Sequence, residues 1–217
     1  MKRFSRMQIF AWILAVIPLV MIAAVYGRLP AEIPTNWGFN GVVLYGSKST
    51  LWMMGGLSVL FAVLFPLIPY IDPRRKNYDK FMPSYDLFQV IMMLFMIAMC
   101  GIIIVESFWP GTVSVGTAVT AICSVLFIIL GNMLPKFRQN YFGGLRNPWT
   151  LDSETVWIRT HRLAGRMLFG AGILGFLSCL MPEKPRMIFF FTVLMVALLI
   201  PNVMSYIWYR EEQKNKP

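Results

Sequence analysis

The sequence predicts an all-α membrane protein, a bundle of six transmembrane helices, and three observations predict it. The 217 residues are 57% hydrophobic and 14% charged, with a mean hydropathy of +0.62. That balance suits lipid rather than a soluble domain. Six stretches, at about 8–27, 51–70, 87–107, 116–134, 163–181 and 187–209, come close to the roughly 20 apolar residues a membrane-crossing helix needs. The twenty Lys and Arg also divide unevenly between the connections. With the N-terminus placed inside, sixteen fall on the inner side and four, Arg28, Lys48, Lys184 and Arg186, on the outer. This bias puts both termini in the cytoplasm. It explains the net charge of +10 by topology and by attraction to membrane lipids, with no direct nucleic-acid binding. Little chain is left between the spans, so residues 1–217 are expected to form one integral domain.

The first helix has the basic start of a secretion signal, but its apolar run from Ile9 to Val25 is long and no small-x-small cleavage site follows. It is read as a retained span, kinked by Pro18. Arg28 to Thr50 then forms an outer loop in which Pro30, Pro34, Gly38, Gly41 and Gly46 rule out a continuous helix, and Trp37, Phe39 and Tyr45 suit an interface. The expectation is an irregular loop, either lying on headgroups or presenting a recognition surface. Helix two ends at Pro66 and Pro69, and Arg74, Arg75 and Lys76 hold the next connection inside. Asp86 is expected at the cap or first turn of helix three, where a carboxylate meets the positive end of the helix dipole. Glu106 closes that helix near the outer interface, within reach of water. Cys100, Cys123 and Cys179 all fall in apolar spans, an arrangement suited to buried thiols and not to disulfides or a metal site.

Gly131 to Arg166 is the longest polar run. It holds six of the twenty basic residues and the only histidine. Between two apolar spans such a segment lies at a membrane face or in a wet cavity. Asn132 and Pro135 reach the inner face, and NYFGGLRNP, Asn140 to Pro148, cannot be regular. Thr150 or Asp152 is expected to cap an amphipathic helix that continues through His161 into span five. On it Glu154, Ile158, His161 and Gly165 recur at helical spacing, so a Glu154–His161 pair is available to tune the imidazole. The alternative is an interfacial helix with Trp157 in lipid and its arginines on phosphates. In span six, Pro201-Asn202 is either a packing hydrogen bond or a cavity wall.

Chemistry signatures are sparse. HExxH, CxxC, a Walker loop, a G-x-S-x-G elbow and a dinucleotide fingerprint are all missing, so no metal site and no cofactor is expected. Ser153, Glu154 and His161 have the residue types of a hydrolase triad, but Ser153 lies well off the face of His161. No inverted repeat is evident. No catalytic residue is assigned. The one enzymatic alternative is a lipid-handling site across Asn132–Arg166, with Arg146, Arg159 and Arg162 clamping a phosphate and Glu154 and His161 as acid and base.

Two stretches together resemble the SdpI-like immunity family of bacterial membrane proteins. The first, Leu29 to Lys48, has the Leu-Pro, the Ile-Pro, a Trp, a Gly and the Lys of that family's outer-loop signature. Asn36 stands where His is usual, Gly38 where Asn is usual and Val43 where an acid is usual, so no proton- or metal-linked role is expected there. The second runs from Gly131 to Gly165. It carries Gly-Asn, Leu-Pro, Asn140, Gly-x-Arg, Pro-Trp-Thr-Leu, Ser-Glu, Val-Trp, Thr-His-Arg and Gly in order. The resemblance divides the chain into residues 1–70, with the outer-loop motif, and an SdpI-like part at 116–209. In that family a member protects its own cell from a secreted peptide toxin and relays the toxin's presence by holding a transcriptional repressor at the membrane. The resemblance therefore implies immunity and signal transduction in a bacterial plasma membrane. An extracellular peptide toxin would meet an outer loop that includes Pro34, Asn36, Trp37 and Gly41. A cytoplasmic repressor would meet an inner surface of Asn132, Asn140, Arg146, Trp149, Ser153, Glu154, Trp157, His161 and Arg162. The helix carrying Glu154 and His161 is the element expected to move when a ligand shifts the population.

Overall fold

The computed structural model describes residues 5–38 and 43–215, so Gly41 and Phe39 of the outer loop lie outside the described residues. Seven helices and one hairpin make up the described chain. α1 is Arg6–Val25, α2 Thr50–Ile71, α3 Met82–Phe108, α4 Val115–Met133, α5 Pro148–Asp152, α6 Glu154–Ser178 and α7 Glu183–Lys214. Between α1 and α2, β1 (Glu32–Trp37) pairs antiparallel with β2 (Val43–Ser47). Short 3-10 turns at Arg75–Lys80 and Leu134–Lys136 precede α3 and extend α4.

Five helices, α1, α2, α3, α4 with its 3-10 extension, and α7, are long and apolar enough to cross a membrane, and the protein is a multi-pass, mainly helical membrane protein. The sixth expected stretch, 163–181, falls in α6, which does not reach that hydropathy. Its N-terminal half carries Arg159, Arg162 and Arg166, and its C-terminal half is rich in Gly, chosen for packing rather than greasiness. α6 nevertheless lies antiparallel along the whole of α4. A Cβ on Gly165 would come within 2.6 Å of the Gly131 carbonyl oxygen, and one on Gly172 within 2.6 Å of the Ser124 carbonyl oxygen. Only small residues let two backbones approach so closely.

The connection between α1 and α2 is a hairpin and not the irregular loop expected from its Pro and Gly. Pro and Gly break helices but are tolerated in an edge strand of a two-stranded ribbon. A bulge between Pro34 and Asn36 absorbs Thr35, and the pairing runs from Glu32 opposite Ser47 to Trp37 opposite Val43. The hairpin is anchored. Ile33 and Leu29 are buried with Ile22, Leu51, Cys100 and Ile104 in one apolar cluster. The Lys48 ammonium donates to the carbonyls of Tyr26 (3.0 Å) and Leu29 (3.1 Å) and lies over the Tyr26 ring. A cation at these orphan carbonyls is favoured by the helix dipole and satisfies groups the helix cannot.

Two further apolar clusters complete the interior. One joins α1, α2 and α3 through Ala11, Leu14, Ala15, Ala62, Val90 and Met93. The other joins Tyr78, Phe81 and Tyr85 to Met133 and Phe137. α3 begins at Met82, four residues before Asp86, so Asp86 is buried a turn inside the helix rather than at its cap. Glu106, expected to reach water, is buried instead, and its Oε1 accepts the Gly111 amide at 2.6 Å. The three cysteines are free thiols.

The α4–α6 seam generates a stability prediction. Gly165→Leu should cost at least about 1–3 kcal/mol, the scale of overpacking a close contact, while Gly56→Ala, with nothing within 4 Å, should be neutral or slightly stabilising. Thermal unfolding in detergent checks both.

Candidate functional site

At the end of the bundle away from the hairpin, residues 137–147 run from the 3-10 extension of α4 to α5 without a regular ladder. Their backbone groups must be satisfied by side chains. Asn140 is the first provider. It is fully buried, its Oδ1 accepts from the amides of Phe142 (2.9 Å) and Gly143 (2.6 Å), and its Nδ2 donates to the carbonyls of Arg138 (2.8 Å) and Gly143 (3.1 Å). One side chain thus closes a turn that no helix or strand could make.

His161 is the second provider. It is fully buried and stacks on Trp157 with ring centroids 4.0 Å apart. Its Nε2 accepts the Leu145 amide at 3.1 Å, which leaves Nδ1 as the protonated nitrogen, donating to the Trp157 carbonyl at 2.9 Å. The tautomer is therefore set by two backbone groups. Gly144 makes this possible. It adopts φ +98°, and a Cβ there would run into the imidazole. Trp157 is fully buried and donates its indole N–H to the Phe137 carbonyl at 2.9 Å, so it is not in lipid.

The second wall comes from the α2–α3 connection. Asp72, only 2% exposed, accepts from the Arg74 amide (2.7 Å), the Tyr78 hydroxyl (3.0 Å) and, across the gap, the Tyr141 amide (2.9 Å). Burial first, and the neighbouring Asp72 second, push the Tyr78 phenol well above its usual range, so it remains a donor. Gln139 donates to the carbonyls of Thr150 (2.7 Å) and Leu151 (2.9 Å), and Arg74 reaches Leu151 at 2.8 Å.

The third wall is the C-terminal part of α7. Asn147 caps α5 in a capping box with Thr150, and its Nδ2 reaches Asn202 (3.1 Å) and Ser205 (2.8 Å). Asn202 is thus a packing hydrogen bond between elements. Trp149 packs on Tyr206 with centroids 5.1 Å apart, and Arg159 lies over Trp208. Ser153 caps α6, accepting from the Val156 amide, and donates to Glu212 at 2.6 Å. The expected cap at Thr150 or Asp152 is therefore corrected to Ser153, with α5 as a separate turn started by Asn147.

The structure brings Asn140, Trp149, Ser153, Trp157 and His161 into one clasp. It does not bring Glu154 to His161. Glu154 is exposed and the imidazole is spent on backbone, because the buried face of α6 runs through Val156, Trp157, Thr160, His161 and Ala164. Arg162 and Asn132 are also exposed, and Arg146 lies at the edge, donating to the Tyr141 carbonyl at 2.6 Å. The phosphate clamp is not assembled as expected, since Arg146 and Arg159 are engaged on different elements. Asp72, Tyr78, Gln139 and Asn147 were missed by sequence reasoning. Only Asn147 carries a local signal, an Asn-Pro followed by Thr at the capping-box position. At the hairpin end Pro34 is buried, Asn36 exposed and Trp37 half-buried. With Thr35, the last two line a cavity of about 290 Å³ against α3, α4 and α7.

As the only histidine, His161 should show a single imidazole NMR signal in the neutral Nδ1–H form at pH 7, because Nε2 accepts the Leu145 amide and Nδ1 faces the Trp157 carbonyl. An Nε2–H tautomer would refute the arrangement.

Comparison with known proteins agrees with both motifs. Residues 136–205 match the SdpI/YfhL protein family, and residues 13–59 match a domain of unknown function, DUF1648. Over 188 residues the chain is 27% identical to the immunity protein SdpI of Bacillus subtilis (strain 168), covering 86% of this chain and 87% of that protein. No solved structure matches the chain.

Proposed function

We propose, for a chain that is an SdpI-like membrane protein by its match at residues 136–205, that it protects a bacterial cell from a secreted peptide toxin. The observation that carries this reading is the relation to the immunity protein SdpI along 86% of the chain. In our reading the hairpin end faces outward, the clasp end faces the cytoplasm, α6 is a sixth crossing and both termini are inside. The distribution of Lys and Arg supports that orientation, and the length of α6 against α4 supports the sixth crossing: 25 residues rise about 37 Å, enough for the hydrocarbon core.

The hairpin, with Pro34, Asn36 and Trp37, receives the peptide at its cavity. The clasp end offers exposed Arg146, Glu154 and Arg162 beside exposed Tyr141 and Phe142 to a cytoplasmic repressor. Relay between the ends requires a peptide that prefers one arrangement of the bundle, and α6 is the element that would carry it. An acid–base site at Glu154 and His161 is not proposed, since neither ring nitrogen is open to a substrate.

Cells of a toxin-sensitive bacterium expressing this protein should survive peptide toxins from neighbouring species that kill the parent strain. Trp37→Ala should lower the protective threshold by about tenfold, the scale of a lost anchor residue, at unchanged membrane abundance. A chain with its native cysteines removed and Arg146→Cys added should resist an impermeant thiol reagent applied to intact cells. Labelling from outside would invert the topology.

A further inference from the structure

Arg186 is one of the four basic residues assigned to the outer face, yet it is 3% exposed. Its Nη1 donates a long bond, 3.4 Å, to the Met181 carbonyl, while Nε and Nη2 have no hydrogen-bond partner among the described residues. Arginine cannot shed its proton to escape such a place, and a buried cation lacking acceptors is strongly unfavourable. Two of its three nitrogens are donors with capacity for an acceptor.

The position of Nη2 says where. It lies 3.2 Å from the point a Cβ on Gly116 would occupy. Gly116 is the second residue of α4, whose N-cap Ser114 makes no side-chain bond to the free amides of the first turn; its hydroxyl pairs with Thr117 instead. An uncapped helix N-terminus carries partial positive charge and outward-facing N–H groups. A full cation and a helix N-terminus therefore converge on one point, kept open by the missing side chain of Gly116. Gly116 also lines the 290 Å³ cavity, together with Met187, Phe190, Thr35, Asn36 and Trp37. The compartment is mostly apolar and of the size for one or two side chains, not for a pair of acyl chains. Glu183 places its Oε1 2.9 Å from the same Gly116 point, so a carboxylate fits there, but it is exposed and leaves Nε and Nη2 unfilled.

We infer that Arg186 and the first turn of α4 form a carboxylate-binding site beside the hairpin cavity, and that its occupant is the C-terminal carboxylate of an apolar peptide whose last side chain enters beneath Trp37. This rests on the reading that the hairpin end meets a secreted peptide, and names the feature of the peptide that is recognised. Glu183 is the internal competitor for the site.

The test uses the full-length protein in neutral detergent, with N-acetyl-Leu-Leu-Phe as the free acid and as its C-terminal amide, read by tryptophan fluorescence and calorimetry. The free acid should bind saturably and at least about tenfold more tightly than the amide, in line with a charge-assisted hydrogen bond. Arg186→Gln should erase that preference, Arg186→Lys should keep part of it, and Glu183→Gln should sharpen it. Equal binding of acid and amide to the wild-type protein, or binding of neither, overturns the proposal without relying on any variant's folding. Retention of phosphatidylglycerol in native mass spectrometry that depends on Arg186, with no preference for acid over amide, would assign the site to a lipid phosphate and overturn it as well. The preference is read on purified protein, so it fails separately from immunity. Protection without the preference sinks the carboxylate site alone, and the preference without protection sinks the immunity reading alone.

Discussion

The backbone of residues 137–147 has to be hydrogen-bonded where neither helix nor sheet is available, and the clasp end is built around that requirement. Side chains stand in for missing backbone partners: Asn140 inside the turn, Gln139 on the end of α5, Asp72 from the neighbouring connection and His161 beneath Leu145. An orphaned amide or carbonyl in such a place would cost as much as a lost hydrogen bond. This explains why a polar, Gly-rich run can be ordered at the end of a membrane bundle. It also explains why its histidine is neutral, since a second ring proton would face the Leu145 N–H.

The two ends of the molecule obey different rules. At the clasp end the buried polar groups are largely satisfied from within, which makes a rigid platform with charged residues on its rim. At the hairpin end a buried guanidinium is left short of acceptors beside a cavity. Networks of the first kind specify a single arrangement, while an unfilled donor set of the second kind favours whatever anion can reach it. The α4–α6 seam links them physically. It runs from Gly131 against Gly165, next to His161, to Cys179 against the Thr117 carbonyl, one residue from Gly116. Its close backbone contact leaves little room for either helix to shift alone.

Much of this was legible in the residues, and the misses have identifiable causes. Five of the six expected spans fall on long apolar helices, because hydropathy over about 20 positions is a strong signal. The hairpin was hidden because Pro and Gly were counted as breakers of helix, although Ile33, Val43 and Tyr45 are good strand formers. The pairing of Glu154 with His161 followed correctly from helical spacing but assumed an exposed imidazole. Nothing in the spacing says that Gly144 brings the chain back over that ring. Arg186 was counted as a loop cation because it falls just before the apolar stretch at 187–209.

What the sequence by itself determined was the membrane class, the order of apolar segments and the location of the polar run, all of which depend on composition summed over a window of chain. Its two motifs also pointed to the SdpI-like family. Only the tertiary structure decided which polar groups meet: Asp72 with Tyr141, Asn147 with Asn202, Leu145 with His161, and Arg186 with the start of α4. These partners lie on different elements, and a hydrogen bond is decided by tenths of an ångström in space, a quantity that separation along the chain does not encode.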